Sequence, residues 1–224
     1  MTLPKPRKIQ FERYTEGLSQ FKKINNPIKL SANESALGPS PRAIEAFERE
    51  KNKIFKYPES DCFSLRDIIS KKFNIDSERI ICGAGSDQIF DLICQLFIEP
   101  GDEVVVTEYG FIMYRIYASL YRAKVLLAKE KNFKASVDEI INKVTDKTKI
   151  VFIANPNNPT GTYLSKNEMF NLRQRLRSDI LLVVDDAYFE FLDKDDFTSG
   201  LDLFKDEANV LITRTFSKIM DLPV

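Results

Sequence analysis

RIICGAGSDQIFDLICQLFIEPGDEVVVT, residues 79–107, decides the fold class. Arg79–Cys82 reads as a short strand and Gly83–Asp87 as a turn. A helix follows, with Ile89, Phe90, Ile93, Leu96 and Phe97 on one face. Pro100-Gly101 ends that helix, and Glu103–Thr107 is the next strand. The alternation continues outward. A helix is expected over 111–121, a strand over 124–128, and a helix opened by the capping box Ser136-x-x-Glu139 and running to Val144. Then come a strand over 149–154, a helix capped by Ser165-x-x-Glu168, and strands over 180–184 and 209–213. Strands alternating with helices predict an α/β fold of three layers, with a mostly parallel sheet covered on both faces. Toward the N-terminus, a helix is expected over 64–73. Ser40-Pro41 supplies an N-cap and a first-turn proline for another, running to about Asn52. Tyr57 precedes a proline, so residues 56–59 are extended or turn. Residues 1 to about 30, with Pro4, Pro6 and Pro27, read as an arm that packs on something else.

Composition removes whole classes of function. The 224 residues are 43% apolar, enough for a sizeable core. Lys+Arg and Asp+Glu number 33 each, so no net charge points to nucleic acid or an anionic membrane. There is no histidine, which eliminates Ser-His-Asp and Cys-His nucleophile systems and every His-ligated metal site, and no metal is expected. Cys62, Cys82 and Cys94 are odd in number and never spaced C-x-x-C, as in a reduced, cytoplasmic protein. The start MTLPKPRKIQFERY lacks the apolar core of a secretory signal. No apolar run approaches the ~20 residues that span a bilayer.

Four stretches carry chemistry. Gly83-Ala-Gly-Ser-Asp87 can present backbone N–H groups to a phosphate at a helix start, or be an ordinary turn capped by Ser86. A dinucleotide fingerprint needs a third glycine, and position 88 is Gln. Asn155-Pro-Asn-Asn-Pro-Thr-Gly161 is a rigid loop after a strand, with more asparagines than a plain turn needs. Asp185 and Asp186 end the strand over 180–184, where a carboxylate could meet a metal, a buried cation or a protonated ring nitrogen. A nucleotide-hydrolase reading also requires a phosphate loop with lysine, and none occurs. Thr213-Arg-Thr-Phe-Ser-Lys218 offers a lysine just past a strand's carboxyl end, where α/β folds place ligands.

These stretches together resemble the fold-type-I, pyridoxal-phosphate-dependent aminotransferases of class I/II. The likeness rests on SANESALGPSP (31–41), KYPE (56–59), GAGSD (83–87), EPGDEVVV (99–106), EYGFIMYRIYA (108–118), NPNNPTG (155–161), VVDDAY (183–188) and TRTFSK (213–218). Within the family, the branch acting on histidinol phosphate is the most similar. The resemblance implies pyridoxal 5′-phosphate as cofactor, with Lys218 the amine that joins its aldehyde and shuttles protons. Asp185 would pair with the ring nitrogen, Asn158 and Tyr188 with the ring's phenolic oxygen, and Phe111 would stack on the ring. Gly85, Ser86, Asp87 and Ser217 would hold the phosphate. Tyr57 would reach the cofactor of a partner subunit, which implies a homodimer, and Asn33 would lie near substrate. The implied reaction moves an amino group between L-histidinol phosphate and 2-oxoglutarate in histidine biosynthesis. An aromatic aminotransferase, a threonine-phosphate decarboxylase-like enzyme and a non-catalytic remnant are the alternatives.

The family pattern implies an arm and part of a small domain over 1–45 and a cofactor-binding large domain over 46–224. Two departures stand out. Asp186 occupies a position that is usually Glu, and after Lys218 the chain reads Ile-Met-Asp-Leu-Pro-Val224. The resemblance leads to the expectation that the C-terminal small domain, its substrate-clamping arginine and a phosphate-binding arginine about eight residues past the lysine are absent from this chain. So is an antiparallel strand between Arg79–Cys82 and Asn209–Thr213. The expectation is an incomplete sheet, low solubility and no turnover.

Overall fold

Five strands form one sheet in the computed structural model, which describes residues 9, 14 and 28–222. They are β1 (Glu103–Thr107), β2 (Lys124–Ala128), β3 (Thr148–Ala154), β4 (Leu181–Asp185) and β5 (Val210–Thr213). All pairings are parallel and the order is β2-β1-β3-β4-β5. The chain first steps from β1 to β2, then crosses back to β3 and continues the other way. The switch point lies between β1 and β3, and in such sheets the crevice at the strands' carboxyl ends is where ligands bind.

The central strands β1, β3 and β4 are largely apolar and buried because both faces are covered, whereas the edge strand β2 is partly exposed. Side chains alternate between faces with period two. Val105, Val151, Ile153, Leu182 and Val184 join one core with Ile140, Met169, Leu172 and Phe204. These last come from α5 (Val137–Lys143), α6 (Lys166–Arg175) and α7 (Gly200–Phe204). On the opposite face Phe152 meets Phe90 of α3 (Gly85–Phe97) and Tyr114 of α4 (Ile112–Leu120). The expected three-layer α/β architecture is present.

Among the described residues the chain divides into two compact units, one containing residues 9, 14 and 90–213, the other residues 28–89 and 214–222. The sheet belongs wholly to the first. In the second, Ser40 caps α1 (Pro41–Glu50) by accepting the Ala43 N–H at 3.2 Å, and a 3-10 turn over Lys51–Lys53 follows. After α2 (Phe63–Phe73), Asn74 takes a left-handed conformation. The Arg66 guanidinium then donates to the Ser77 carbonyl at 2.8 and 3.0 Å.

Several local expectations change. Arg79–Cys82 is not a strand: Ser77–Arg79 is a 3-10 turn, and residues 80–82 pair with no strand among the described residues. Ile80 has extended angles (φ −111°, ψ 130°), so the sequence sets the local geometry, but a strand also needs a neighbour to accept its hydrogen bonds. Residues 83–87 are not all turn, since α3 already begins at Gly85 with φ +68°, a conformation glycine adopts without strain. The buried stripe of α3 is Phe90, Ile93 and Cys94, whereas Leu96 is 73% and Phe97 51% exposed. Ser136 makes no side-chain cap, while the Ser165–Glu168 box forms in both directions. The helix α7 was not foreseen, and Pro223, Val224 and most of the expected N-terminal arm lie outside the described residues.

Candidate active site

The sheet unit gathers four of the expected residues beyond strand ends. Phe111 follows β1 and starts α4, Asn158 follows β3, and Asp185 and Tyr188 close β4. The loop after β3 explains its asparagines individually. Asn155 bonds the Leu164 main chain in both directions, at 3.0 and 2.8 Å. Asn157 donates to the Tyr109 carbonyl at 3.3 Å and to Thr160 Oγ1 at 2.9 Å. Asn155 and Asn157 thus bond the scaffold, and Asn158, half-buried, places its Nδ2 3.3 Å from the Tyr188 hydroxyl. Gly110 lets this floor close up, because a Cβ there would meet Thr107 Oγ1 at 2.7 Å.

Asp185 is buried and richly hydrogen-bonded. Its Oδ2 accepts the Tyr114 hydroxyl at 2.7 Å, and its Oδ1 accepts Thr213 Oγ1 and the Ala187 N–H, both at 3.1 Å. Burial first, and the Asp185 carboxylate second, hold the Tyr114 hydroxyl well above the usual tyrosine range, so it stays a donor. Asp186 is also buried, but its Oδ2 accepts the Gly200 N–H at 2.8 Å. It thereby anchors the start of α7, whose Gly200 would clash with Ile212 and Val184 at 2.9 Å if it carried a Cβ. The adjacent carboxylates thus differ in task. Asp186 fastens the fold, while Asp185 stands beside an amide–phenol pair, Asn158 and Tyr188, at the same end of the sheet. A buried carboxylate there can accept an N–H from a cationic ring, and the amide–phenol pair can donate to an anionic oxygen.

The second unit holds the remaining residues. Ser86 is buried, and its hydroxyl donates to the Arg214 carbonyl at 3.2 Å, while the Arg214 guanidinium sits 4.9 Å over the Phe73 ring. The expectation of Ser86 as an ordinary cap gives way to a tie between the start of α3 and the segment carrying Lys218. At the same helix start, Gln88 Oε1 accepts the Ala84 N–H at 2.7 Å, and Asp87 is exposed. Ser217 is folded back on Thr215 Oγ1, which its N–H meets at 3.1 Å. Lys218 Nζ donates to the Ala32 carbonyl at 3.4 Å, and Asp221 accepts the Ser35 N–H at 3.2 Å. These two bonds bracket Asn33, which takes a left-handed φ of 53°, and bring it beside the lysine segment. Tyr57 is not brought to any of these residues and is 100% exposed.

Two residues at the site had no expected role, Tyr114 and Thr213. The signal for Tyr114 was a hydroxyl inside an apolar helix stripe, since buried tyrosine hydroxyls find partners. For Thr213 it was a hydroxyl at the last position of a buried strand. Among the described residues no group of His, Cys, Asp or Glu is arranged to hold a metal, and no helix is long and apolar enough to cross a membrane.

A parallel sheet with a buried carboxylate and an amide–phenol pair at its carboxyl edge defines a ligand-binding α/β protein. Residues 25–223 match the family described as aminotransferase class I and II, and the chain belongs to it. It is 59% identical over 222 residues to the histidinol-phosphate aminotransferase of Pelagibacter ubique, covering 99% of this chain and 62% of that protein. It is 44% identical over 224 residues to that of Paramagnetospirillum magneticum, again covering 99% of this chain and 62% of the relative. The chain therefore spans less than two thirds of the length of these relatives. Among solved structures, the histidinol-phosphate aminotransferase of Sinorhizobium meliloti in complex with pyridoxal-5′-phosphate superposes with a TM-score of 0.81 at 26% identity, covering 85% of this chain and 52% of that one. A putative histidinol-phosphate aminotransferase from Erwinia carotovora atroseptica gives 0.82 at 26% identity, covering 87% and 57%.

Proposed function

We propose that this chain carries the pyridoxal-phosphate-binding part of an aminotransferase that moves an amino group between L-histidinol phosphate and 2-oxoglutarate in histidine biosynthesis, in the cytoplasm. The observation that carries it is the 59% identity to a histidinol-phosphate aminotransferase across 99% of this chain. Bound pyridoxal phosphate would supply an aldehyde and a ring able to accept electrons from a substrate's α-carbon. The donor set fits such a ring, with a buried carboxylate for its nitrogen and an amide and a phenol for its oxygen. Asp185 keeps the proton on the ring nitrogen, Asn158 and Tyr188 orient the phenolic oxygen, and Phe111 covers the ring face. Gly85, Ser86, Asp87 and Ser217 bind the phosphate. Lys218 would hold the aldehyde through its Nζ and carry a proton, and Asn33 would lie near substrate.

The large domain spans 46–224, with 1–45 forming the arm and part of a small domain. The working form is a homodimer in which Tyr57 reaches the partner subunit's cofactor. The exposure of Phe47 (69%), Ile54 (83%), Phe55 (80%) and Tyr57 supports a covered surface there.

Cofactor uptake by the chain, followed in the visible spectrum, tests the binding part. The substrate is tested by joining this chain to the C-terminal segment of the Pelagibacter relative that lies beyond the match. Amino transfer from L-histidinol phosphate is expected, and a clear preference for phenylalanine or tyrosine would overturn the substrate assignment.

A further inference from the structure

Tyr114 is fixed by packing before it touches anything polar. Its ring is 1% exposed, stacks on Phe152 (centroids 5.0 Å apart, planes 5° apart) and stands edge-on to Phe90 at 4.9 Å. A ring held on two sides by a close-packed core cannot swing, so the position of its hydroxyl is set by the scaffold. That hydroxyl meets Asp185 Oδ2 at 2.7 Å. On another side, the Tyr114 ring touches Phe111 edge-on at 5.7 Å. One side chain thus reaches both the carboxylate expected at the cofactor's nitrogen and the aromatic expected on its face. A phenylalanine would fill the same space, so packing alone does not call for the hydroxyl.

We propose that Tyr114 is the positioning residue for Asp185: its hydroxyl holds the carboxylate in one orientation and keeps it ionised toward the cofactor's ring nitrogen, while its ring edge sets Phe111. This deepens the cofactor reading above and rests on it. A buried carboxylate has lost its water and favours the neutral form, and each donated hydrogen bond offsets that loss. Thr213 and the Ala187 N–H serve Oδ1, and Tyr114 serves Oδ2. Without the Tyr114 donor, Asp185 keeps a proton more readily and the ring nitrogen less.

The test binds pyridine-15N-labelled pyridoxal phosphate to the wild-type chain, to Tyr114→Phe and to Tyr163→Phe. The last removes a hydroxyl bonded to Asp196 at 2.8 Å on the surface and serves as the control. Tyr114→Phe is expected to bind roughly 3- to 10-fold more weakly, the span of one hydrogen bond. Its 15N resonance should move toward that of an unprotonated ring nitrogen, while Tyr163→Phe matches wild type in both respects. Should Tyr114→Phe not fold, 3-fluorotyrosine at position 114 keeps the donor and makes it stronger, and the resonance should then move toward the protonated value. A resonance unchanged in whichever variant folds overturns the inference, whatever the affinity. A wild-type chain that takes up no pyridoxal phosphate overturns the proposed function and this inference with it. A wild type that binds, with Tyr114→Phe indistinguishable from it, overturns the inference alone.

Discussion

Asn155 grips the main chain of Leu164 from both sides, its Nδ2 donating to the carbonyl at 3.0 Å and its Oδ1 accepting the N–H at 2.8 Å. Both residues are buried, at 2% and 1% exposure, so no water can replace either bond. The pair closes the loop that presents Asn158. Asn155→Ala leaves a buried donor and a buried acceptor unsatisfied and should cost ~2–4 kcal/mol in denaturant unfolding. Asn155→Asp keeps only the acceptor and should fall between. A loss below about 0.5 kcal/mol for Asn155→Ala, the size of an ordinary surface change, would show that the loop is held by something else.

Ser136 and Ser165 make a matched pair for testing helix caps. Each is followed three residues later by glutamate, so the sequence gives them equal standing. In the structure only Ser165 bonds its N3 backbone, at 3.3 Å to the Glu168 N–H, whereas Glu139 approaches Lys131 at 4.0 Å. Ser165→Ala should therefore cost about 1 kcal/mol, and Ser136→Ala only a few tenths. Equal losses in the two unfolding curves would contradict the structural distinction.

That contrast marks what the sequence can and cannot disclose. The strands β1 and β2 were legible to the residue, and β3, β4 and β5 to within one, because short apolar runs bounded by polar or turn residues read as strands whether central or at the edge. Asp185, Asn158 and Tyr188 were legible only through a family pattern, since two adjacent aspartates carry no local sign of which one faces a ligand. Their partners separate them, with Asp186 on the Gly200 N–H and Asp185 on Tyr114. Residues 80–82 failed for a non-local reason, because strand identity depends on a partner that local propensity does not reveal. Leu96 and Phe97 failed because an apolar stripe shows which face can be covered, and not that it is.

Glu168 gives stability a pH dependence with a definite sign. Burial pushes its carboxyl up, but hydrogen bonds from Lys134 at 2.9 Å and from the Ser165 N–H at 2.8 Å outweigh it and leave it below its ordinary value. The unfolded chain then binds the proton at higher pH than the folded one. The contribution is present above the unfolded value and is lost as pH falls through the folded one. Glu168→Gln retains an acceptor for Ser165 but not the charge. The gap between wild type and Glu168→Gln in urea midpoint should be open at pH 7 and close in acid below the carboxylate range. A gap that stays constant with pH would assign the difference to packing.

The three thiols should react in two classes. Cys94 is fully buried, and burial chiefly, with the Asp91 carboxylate adding to it, pushes its thiol up to about 12. Cys62 and Cys82 are half-buried, and Cys82 is raised mainly by burial, with Cys62 beside it. A thiol reagent at pH 8 should modify Cys62 and Cys82 in the native chain and Cys94 only in denaturant. Modification of Cys94 at the rate of the other two would mean that α3 opens readily.

Lys218 carries the sharpest chemical prediction. The chain has 21 lysines, so an aldehyde free in solution would label many exposed amines weakly. Selectivity requires that one amine be held beside the aldehyde, which raises its effective concentration by orders of magnitude. Here the segment carrying Lys218 is tied down by Ser86 on the Arg214 carbonyl, by Arg214 over Phe73, and by Lys218 itself on the Ala32 carbonyl. Ser86 and Ser217, the expected phosphate ligands, belong to the same unit as that lysine. Pyridoxal phosphate followed by borohydride should therefore leave a stable label in the single peptide that contains Lys218. Lys218→Ala should abolish that label without spreading it elsewhere, and Ser86→Ala should reduce its yield at limiting cofactor. Peptide mapping that finds the label on a different lysine, or spread over many, would remove Lys218 from its role, while the fold and the family would stand.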